Sequence, residues 1–257
     1  MRRNPFRHIA TLLDHLGSQL QAELGRNVLG LYVYGSLTQN AFDARRSDVD
    51  CVAVVRRRLS RVVASRLRTS LRRLSARHSW MRRLQLTILI QRELLQFNGD
   101  GWLYQFGRLS RTGSDGNPII WANILESGQV VFGASPHTFV PPITPGLMRA
   151  ALEREIGYLR IELVTKRTSV WRGRTVYRRY AALTACRILY TLENGRVVPK
   201  HKAAAWALRR LPFVHRAIVR RAIAGPHGTR LLPLSPLRGL LEHVERRLVS
   251  ADVTPAA

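Results

Sequence analysis

Val28-Leu29-Gly30-Leu31-Tyr32-Val33-Tyr34-Gly35-Ser36, followed about a dozen residues later by Ser47-Asp48-Val49-Asp50-Cys51-Val52-Ala53-Val54-Val55, is the stretch that decides how this chain is read. Each half contains a short apolar run rich in β-branched and aromatic residues, the composition of a buried strand. The first run stops at Gly-Ser and the second opens at Asp-x-Asp, so both motifs fall at the ends of adjacent strands. Residues two apart on a strand share a face, which aims the carboxylates of Asp48 and Asp50 at one point. Two hard oxygen ligands there suit Mg2+. Glycine lets a backbone approach phosphate closely, while Ser36 and the amides of the following turn offer donors. The combination points to phosphoryl chemistry on a nucleoside triphosphate, in which Mg2+ neutralises the phosphates and an acceptor oxygen is aligned with the α-phosphorus.

Outward from this stretch, apolar positions at helical spacing (Ile9, Leu12, Leu13, Leu16, Leu20) predict a helix over 8–23, ended by Gly25. An arginine-rich helix is expected from Ser60 to His78 and a third strand from Leu84 to Ile90. The turn-forming residues of 96–118, including Asn98-Gly99-Asp100-Gly101 and Gly116-Asn117-Pro118, read as a long loop. A weak strand is expected at Val130 to Phe132. Pro136, Pro141, Pro142 and Pro145 mark a linker, which gives an N-terminal domain of 1–142 and a C-terminal domain of 143–257. The second is helical throughout, over about 146–168, 176–193, 200–211, 213–224 and 236–249, broken at Pro199, Pro212 and Pro226. The fold class is α+β, a mixed-sheet domain followed by an all-α bundle.

The motif order resembles that of the polymerase-β-like nucleotidyltransferase superfamily, whose signature is Gly-Ser followed by Asp-x-Asp. More narrowly, Leu183-Thr184-Ala185-Cys186-Arg187-Ile188-Leu189-Tyr190, Gly195-Arg196-Val197-Val198-Pro199-Lys200 and Ala203-Ala204-Ala205-Trp206-Ala207 are similar to the helical domain of aminoglycoside adenylyltransferases of the streptomycin/spectinomycin 3″/9 type. The resemblance implies an adenylyltransferase that uses ATP and Mg2+. In it, Gly35, Ser36, Ser47, Arg187 and Lys200 would contact the nucleotide, and Asp48 and Asp50 the metal. It also exposes two departures. The family's base, a glutamate on the third strand, is here Gln85, which can orient a hydroxyl but cannot take its proton. Glu93 is the nearest acid in sequence, and loop acids such as Asp100 or Asp115 are further candidates. The family's acidic, aminoglycoside-binding stretch is here Tyr177-Arg178-Arg179-Tyr180, which reads as hostile to a polycation.

Charge bears on the acceptor too. The net charge of +26 comes almost entirely from arginine, only Lys166, Lys200 and Lys202 being lysines. Arginine forks suit phosphate oxygens, so RNA or another polyanion is an expected partner. Arg167, Arg172, Arg174, Arg178 and Arg179, interleaved with Trp171, Tyr177 and Tyr180, are read either as a phosphate-and-stacking surface or as a solvated helix face over aromatic core residues, with Tyr177 and Tyr180 as substrate-binding candidates. Arg56-Arg57-Arg58 and Arg72-Arg73 read as a solvated face. Cys51 and Cys186 form no CxxC or Cys/His cluster, which fits a reducing cytoplasm, and no apolar run approaches a membrane span. Three functions follow: nucleotidyl transfer to an acceptor of unknown identity that is anionic or needs little activation; adenylylation of an aminoglycoside; or a weakened nucleotide- or nucleic-acid-binding module.

Overall fold

The computed structural model describes residues 5–97, 99–114, 117–224 and 231–250, which form two compact units, Met1–Pro142 and Ile143–Ala257. In the first, six strands form one mixed sheet: β1 (Val28–Tyr34), β2 (Val49–Val55), β3 (Leu84–Ile90), β4 (Gly99–Gln105), β5 (Arg108–Ser114) and β6 (Gln129–Gly133), in the order β5-β4-β3-β2-β1-β6. All neighbours are antiparallel except β2 and β3, which run parallel and are joined through a helix.

Side-chain alternation divides the sheet into two faces. Leu31 and Val33 of β1, Val49, Cys51, Ala53 and Val55 of β2, and Leu84, Leu86, Ile88 and Ile90 of β3 join one buried core with the apolar sides of α1 (Pro5–Leu24) and α2 (Arg61–Arg77). The intervening residues Tyr32, Asp50 and Gln85 therefore point to the other face. Ser60 starts α2 by accepting a hydrogen bond from Val63 N. The reading of α1, α2 and the first three strands agrees with this architecture to within a few residues.

Two segments differ from the reading. The expected loop at 96–118 is instead the β4–β5 hairpin, whose two-residue turn, Phe106-Gly107, has positive φ at both positions (52° and 76°). Such a turn matches the twist of paired strands, and Tyr104 and Leu109 anchor the hairpin in the core. The remainder of the segment, from Asn117, opens α3 (Pro118–Ser127), with the Asn117 side chain accepting from Ile119 N and Pro118 in the first turn.

In the second unit, α5 (Thr175–Asn194) packs against α4 (Pro145–Arg160), α6 (Lys200–Arg210), α7 (Phe213–Ala224) and α8 (Leu234–Ser250). Ala181, Ala182, Ala185 and Cys186 keep α5 thin enough for close approach. Gly195, at φ 66°, ends it in the left-handed conformation that glycine tolerates. The helix expected to reach residue 168 stops earlier, passing into a π-helical turn over Ile161–Thr165.

Candidate active site

The site is built on the β1–β2 pair. Tyr34 is the register partner of Asp50, so the turn leaving β1 lies directly beside the carboxylates entering β2. That turn is the 3-10 segment Gly35–Leu37, and Gly35 has φ 79°. A Cβ on Gly35 would fall 2.6 Å from Asp50 Oδ2, so only glycine permits this approach. Two contacts hold the turn. Gly35 N donates to Oδ1 of the buried Asn123 at 2.9 Å, and Thr38 Oγ1 donates to Gly35 O at 3.2 Å. Asn123 was not singled out in the sequence. Its one signal is a lone amide within the apolar run Ile119-Ile120-Trp121-Ala122-Asn123-Ile124-Leu125.

Gln85 is the β3 register partner of Asp50, and its Nε2 donates to Asp48 Oδ2 at 3.2 Å. Asp48, Asp50 and Gln85 are thus brought together. Arg83 joins them, with Nε 4.0 Å from Asp48 Oδ1, its Nη1 donating to Ala44 O at 2.6 Å and its guanidinium over the Trp80 ring. Ser47 belongs to the same loop. Its hydroxyl oxygen accepts from Asp43 N at 2.9 Å and its amide donates to Asp43 O, which leaves the hydroxyl proton as a donor.

Glu93 and Asp100 do not reach this group. Glu93 is buried beyond the far end of β3, about 16 Å or more from Gln85 at strand rise, where it accepts from Asp100 N. Asp100 accepts from Nε and Nη2 of Arg111 at 2.9 and 2.8 Å and lies 3.3 Å from Arg58; the hydrogen bond from Arg111 holds its carboxyl below the usual range. Asp115 lies outside the described residues. Cys51 is fully buried on the helix-facing side, and burial pushes its thiol far up, so it is packing.

The two carboxylates fit Mg2+. That ion is held through one or two carboxylates together with phosphate and water, and the absence of a side chain at Gly35 lets the Asp50 carboxylate lie against the turn. Among the described residues no cluster of three or more His, Cys, Asp or Glu side chains forms an alternative metal site.

In the helical unit a second group converges on Tyr180. Lys200 Nζ sits 3.9 Å from the centroid of its ring, its hydroxyl donates to Glu155 Oε1 at 3.3 Å, and Arg187 acts on it electrostatically. Burial first, and then Glu155, push the phenol up. Trp171 stacks on Tyr177 at 4.8 Å and meets Tyr158 and Tyr180 edge-on at 5.4 and 5.7 Å. Three of the five arginines here are tied to backbone carbonyls. Arg178 donates to the carbonyls of Leu232 and Arg172, Arg179 to Ala222 O, and Arg172 to Val164 O. They hold loops and helix ends together, so the Arg178 and Arg179 forks are directed at backbone acceptors. Burial lowers the Arg178 pKa accordingly.

A Gly-Ser turn thus lies against an Asp-x-Asp pair on a mixed sheet, and a helical unit follows it in the chain. Residues 140–249 match the model of the family described as aminoglycoside adenylyltransferase, C-terminal domain. The chain is similar to the aminoglycoside (3'') (9) adenylyltransferase of Escherichia coli, 24% identical over 249 residues that cover 90% of this chain and 91% of the relative. It is 23% identical to the enzyme of the same name from Shigella flexneri, over 86% of this chain and 87% of the relative. Among solved structures it shares its fold with spectinomycin adenyltransferase AAD(9) from Enterococcus faecialis, determined with ATP and spectinomycin, at a TM-score of 0.71 and 18% identity, over 93% of this chain and 98% of that one. Among the described residues no helix is long and apolar enough to cross a membrane.

Proposed function

We propose that the protein transfers the adenylyl group of magnesium-bound ATP to a hydroxyl of a cationic acceptor of the aminoglycoside class. The observation that carries the reading is Asp50 Oδ2 lying where a Gly35 side chain would have to be, with Asp48 beside it. This geometry offers a triphosphate the backbone and hydroxyl donors of the turn together with a carboxylate-held metal. Asp48 and Asp50 hold Mg2+, which when bound neutralises phosphate charge and polarises the α-phosphorus. The Ser36 hydroxyl, the amides that follow Gly35 in the turn and the Ser47 hydroxyl donate to phosphate oxygens. An acceptor oxygen bonds to the α-phosphorus as the bond to the β-phosphate bridging oxygen breaks. Gln85 orients the acceptor, and the hydroxyl proton passes to solvent.

Support for a cationic acceptor comes from the helical unit and from the relatives. Trp171, Tyr177, Tyr180 and Tyr158 gather beside Glu155 and Glu162, a combination that attracts ammonium groups, here those of Lys200 over the Tyr180 ring and Lys166 beside Glu162. The relatives' names give aminoglycosides as their substrates, and the solved neighbour was determined with spectinomycin.

Gln85 favours a second reading: an acceptor whose attacking oxygen is already anionic, a phosphate or carboxylate, would need no base. Pyrophosphate release from MgATP, measured with streptomycin, spectinomycin, small phosphates and carboxylates, separates the two. An adenylylated antibiotic seen by mass spectrometry supports the first. An adenylylated anion with no antibiotic product replaces it with the second. Release with no acceptor of either class overturns both.

A further inference from the structure

The outer side of α2 carries an arrangement that the transferase site does not use. Its exposed positions hold Arg61, Arg66, Arg72, Arg73 and Arg77 and no acidic residue. Of these, Arg66 alone meets a carboxylate among the described residues, Glu23 at 3.6 Å, and Glu23 is already engaged by Ser70 at 2.6 Å. At about 100° and 1.5 Å per residue, Arg61 and Arg72 fall on one edge of the exposed side, and Arg66, Arg73 and Arg77 on the other. The strip between them holds the small residues Ser65, Thr69 and Ala76, with Val62 at its N-terminal end, all exposed. The two rows extend over about 24 Å of helix.

This pattern works against the helix that bears it. Arg68 with Arg72 and Arg73 with Arg77 are like charges at i,i+4, each pair unfavourable, and Arg61 is a cation at the positive end of the helix. A solvated face would mix signs. A partner that supplies negative charge along the whole helix relieves every one of these conflicts.

We infer that the outer side of α2 is a docking surface for the phosphate backbone of a nucleic-acid duplex, independent of nucleotidyl transfer. Small residues in the central strip let the helix axis approach closely while arginine forks on both edges reach phosphates. The exposed side carries no aromatic residue, so it lacks the stacking platform that single strands require. Val62 is its one large apolar residue, which does not provide the buried side that a membrane-surface helix needs. Because α2 packs its other side onto the sheet face opposite Asp50 and Gln85, a duplex bound here does not occlude the carboxylates.

The test is fluorescence anisotropy of a labelled mixed-sequence duplex of about 20 base pairs, titrated with the full chain between 50 and 200 mM salt. Compared are the wild type, Arg61→Gln/Arg72→Gln/Arg73→Gln/Arg77→Gln, and a control of equal charge, Arg209→Gln/Arg220→Gln/Arg221→Gln/Arg246→Gln, at exposed sites of the helical unit. Four phosphate contacts contribute about 3.6 to the salt slope, so the α2 variant should lose about 150-fold of the wild type's salt-dependent change in affinity. The control should keep its slope to within about one. Thermal melting should show the α2 variant as stable as wild type or more so; should it unfold, single variants at Arg72 and Arg77 each predict a slope lower by about one. Equal losses in both quadruple variants would overturn the proposal in favour of net charge alone. Binding to anionic phospholipid vesicles that depends on α2, without duplex binding, would overturn it in favour of a membrane surface.

Discussion

Replacing Gly35 by alanine probes the geometry on which the site depends. The added methyl group would sit 2.6 Å from Asp50 Oδ2, at a φ of 79°. Ordinary contact needs about 3.4 Å, so the carboxylate or the turn must move by about 0.8 Å. The left-handed backbone adds about 1–2 kcal/mol of strain for a residue with a side chain. A shift of that size at a reacting centre lowers the rate by about 100-fold. The strain alone lowers Tm by only about 2–8 °C, so the protein stays folded at assay temperature. Steady-state pyrophosphate release from MgATP, with melting followed by circular dichroism, should therefore show a folded variant whose kcat is about 100-fold lower. A folded Gly35→Ala protein with kcat within threefold of wild type would refute the claim that Asp50 and the turn act as one unit.

Asn123→Ala removes the acceptor for Gly35 N and should cost about 1–3 kcal/mol, a Tm lower by roughly 3–10 °C, with kcat falling alongside. Gln85→Glu places a carboxylate where an amide now donates to Asp48; without metal it should lower Tm, with Mg2+ the deficit should shrink, and transfer to hydroxyl acceptors should rise. Unchanged hydroxyl transfer would count against a missing base. His215 and His243 have pKa values lowered chiefly by burial, so the unfolded chain takes up protons first as pH falls through about 6.5. Stability of the helical unit should be full above that pH and decline below it, and His243→Gln should flatten the profile measured by thermal melting.

The strands that carry the site were legible because each is a short apolar run with a sharp polar boundary, and alternation along β2 separates Asp48 and Asp50 from Val49 and Cys51. The β4–β5 hairpin was not, because Gly99, Gly101 and Gly113, which mark an irregular loop in the sequence, lie within its strands, while the turn itself falls at Phe106-Gly107. Partnering was the least visible property. Nothing in Tyr177-Arg178-Arg179-Tyr180 distinguishes guanidiniums aimed at a ligand from ones donating to carbonyls more than forty residues away, as Arg178 and Arg179 do. Asn123 was hidden for the related reason that its acceptor role depends on how α3 packs beside the Gly35 turn, a tertiary contact. Arg83 likewise meets Asp48 only through the pairing of β2 with β3.

The most direct measurement is calorimetric binding of a non-hydrolysable ATP analogue, with and without Mg2+, to wild type, Asp48→Asn and Asp50→Asn. The wild type should bind far more tightly with the metal. Each variant should lose most of that metal-dependent gain, at least 30-fold, while remaining folded. Metal-dependent affinity that survives both substitutions would contradict the assignment of Asp48 and Asp50 as the groups that hold the metal–nucleotide complex.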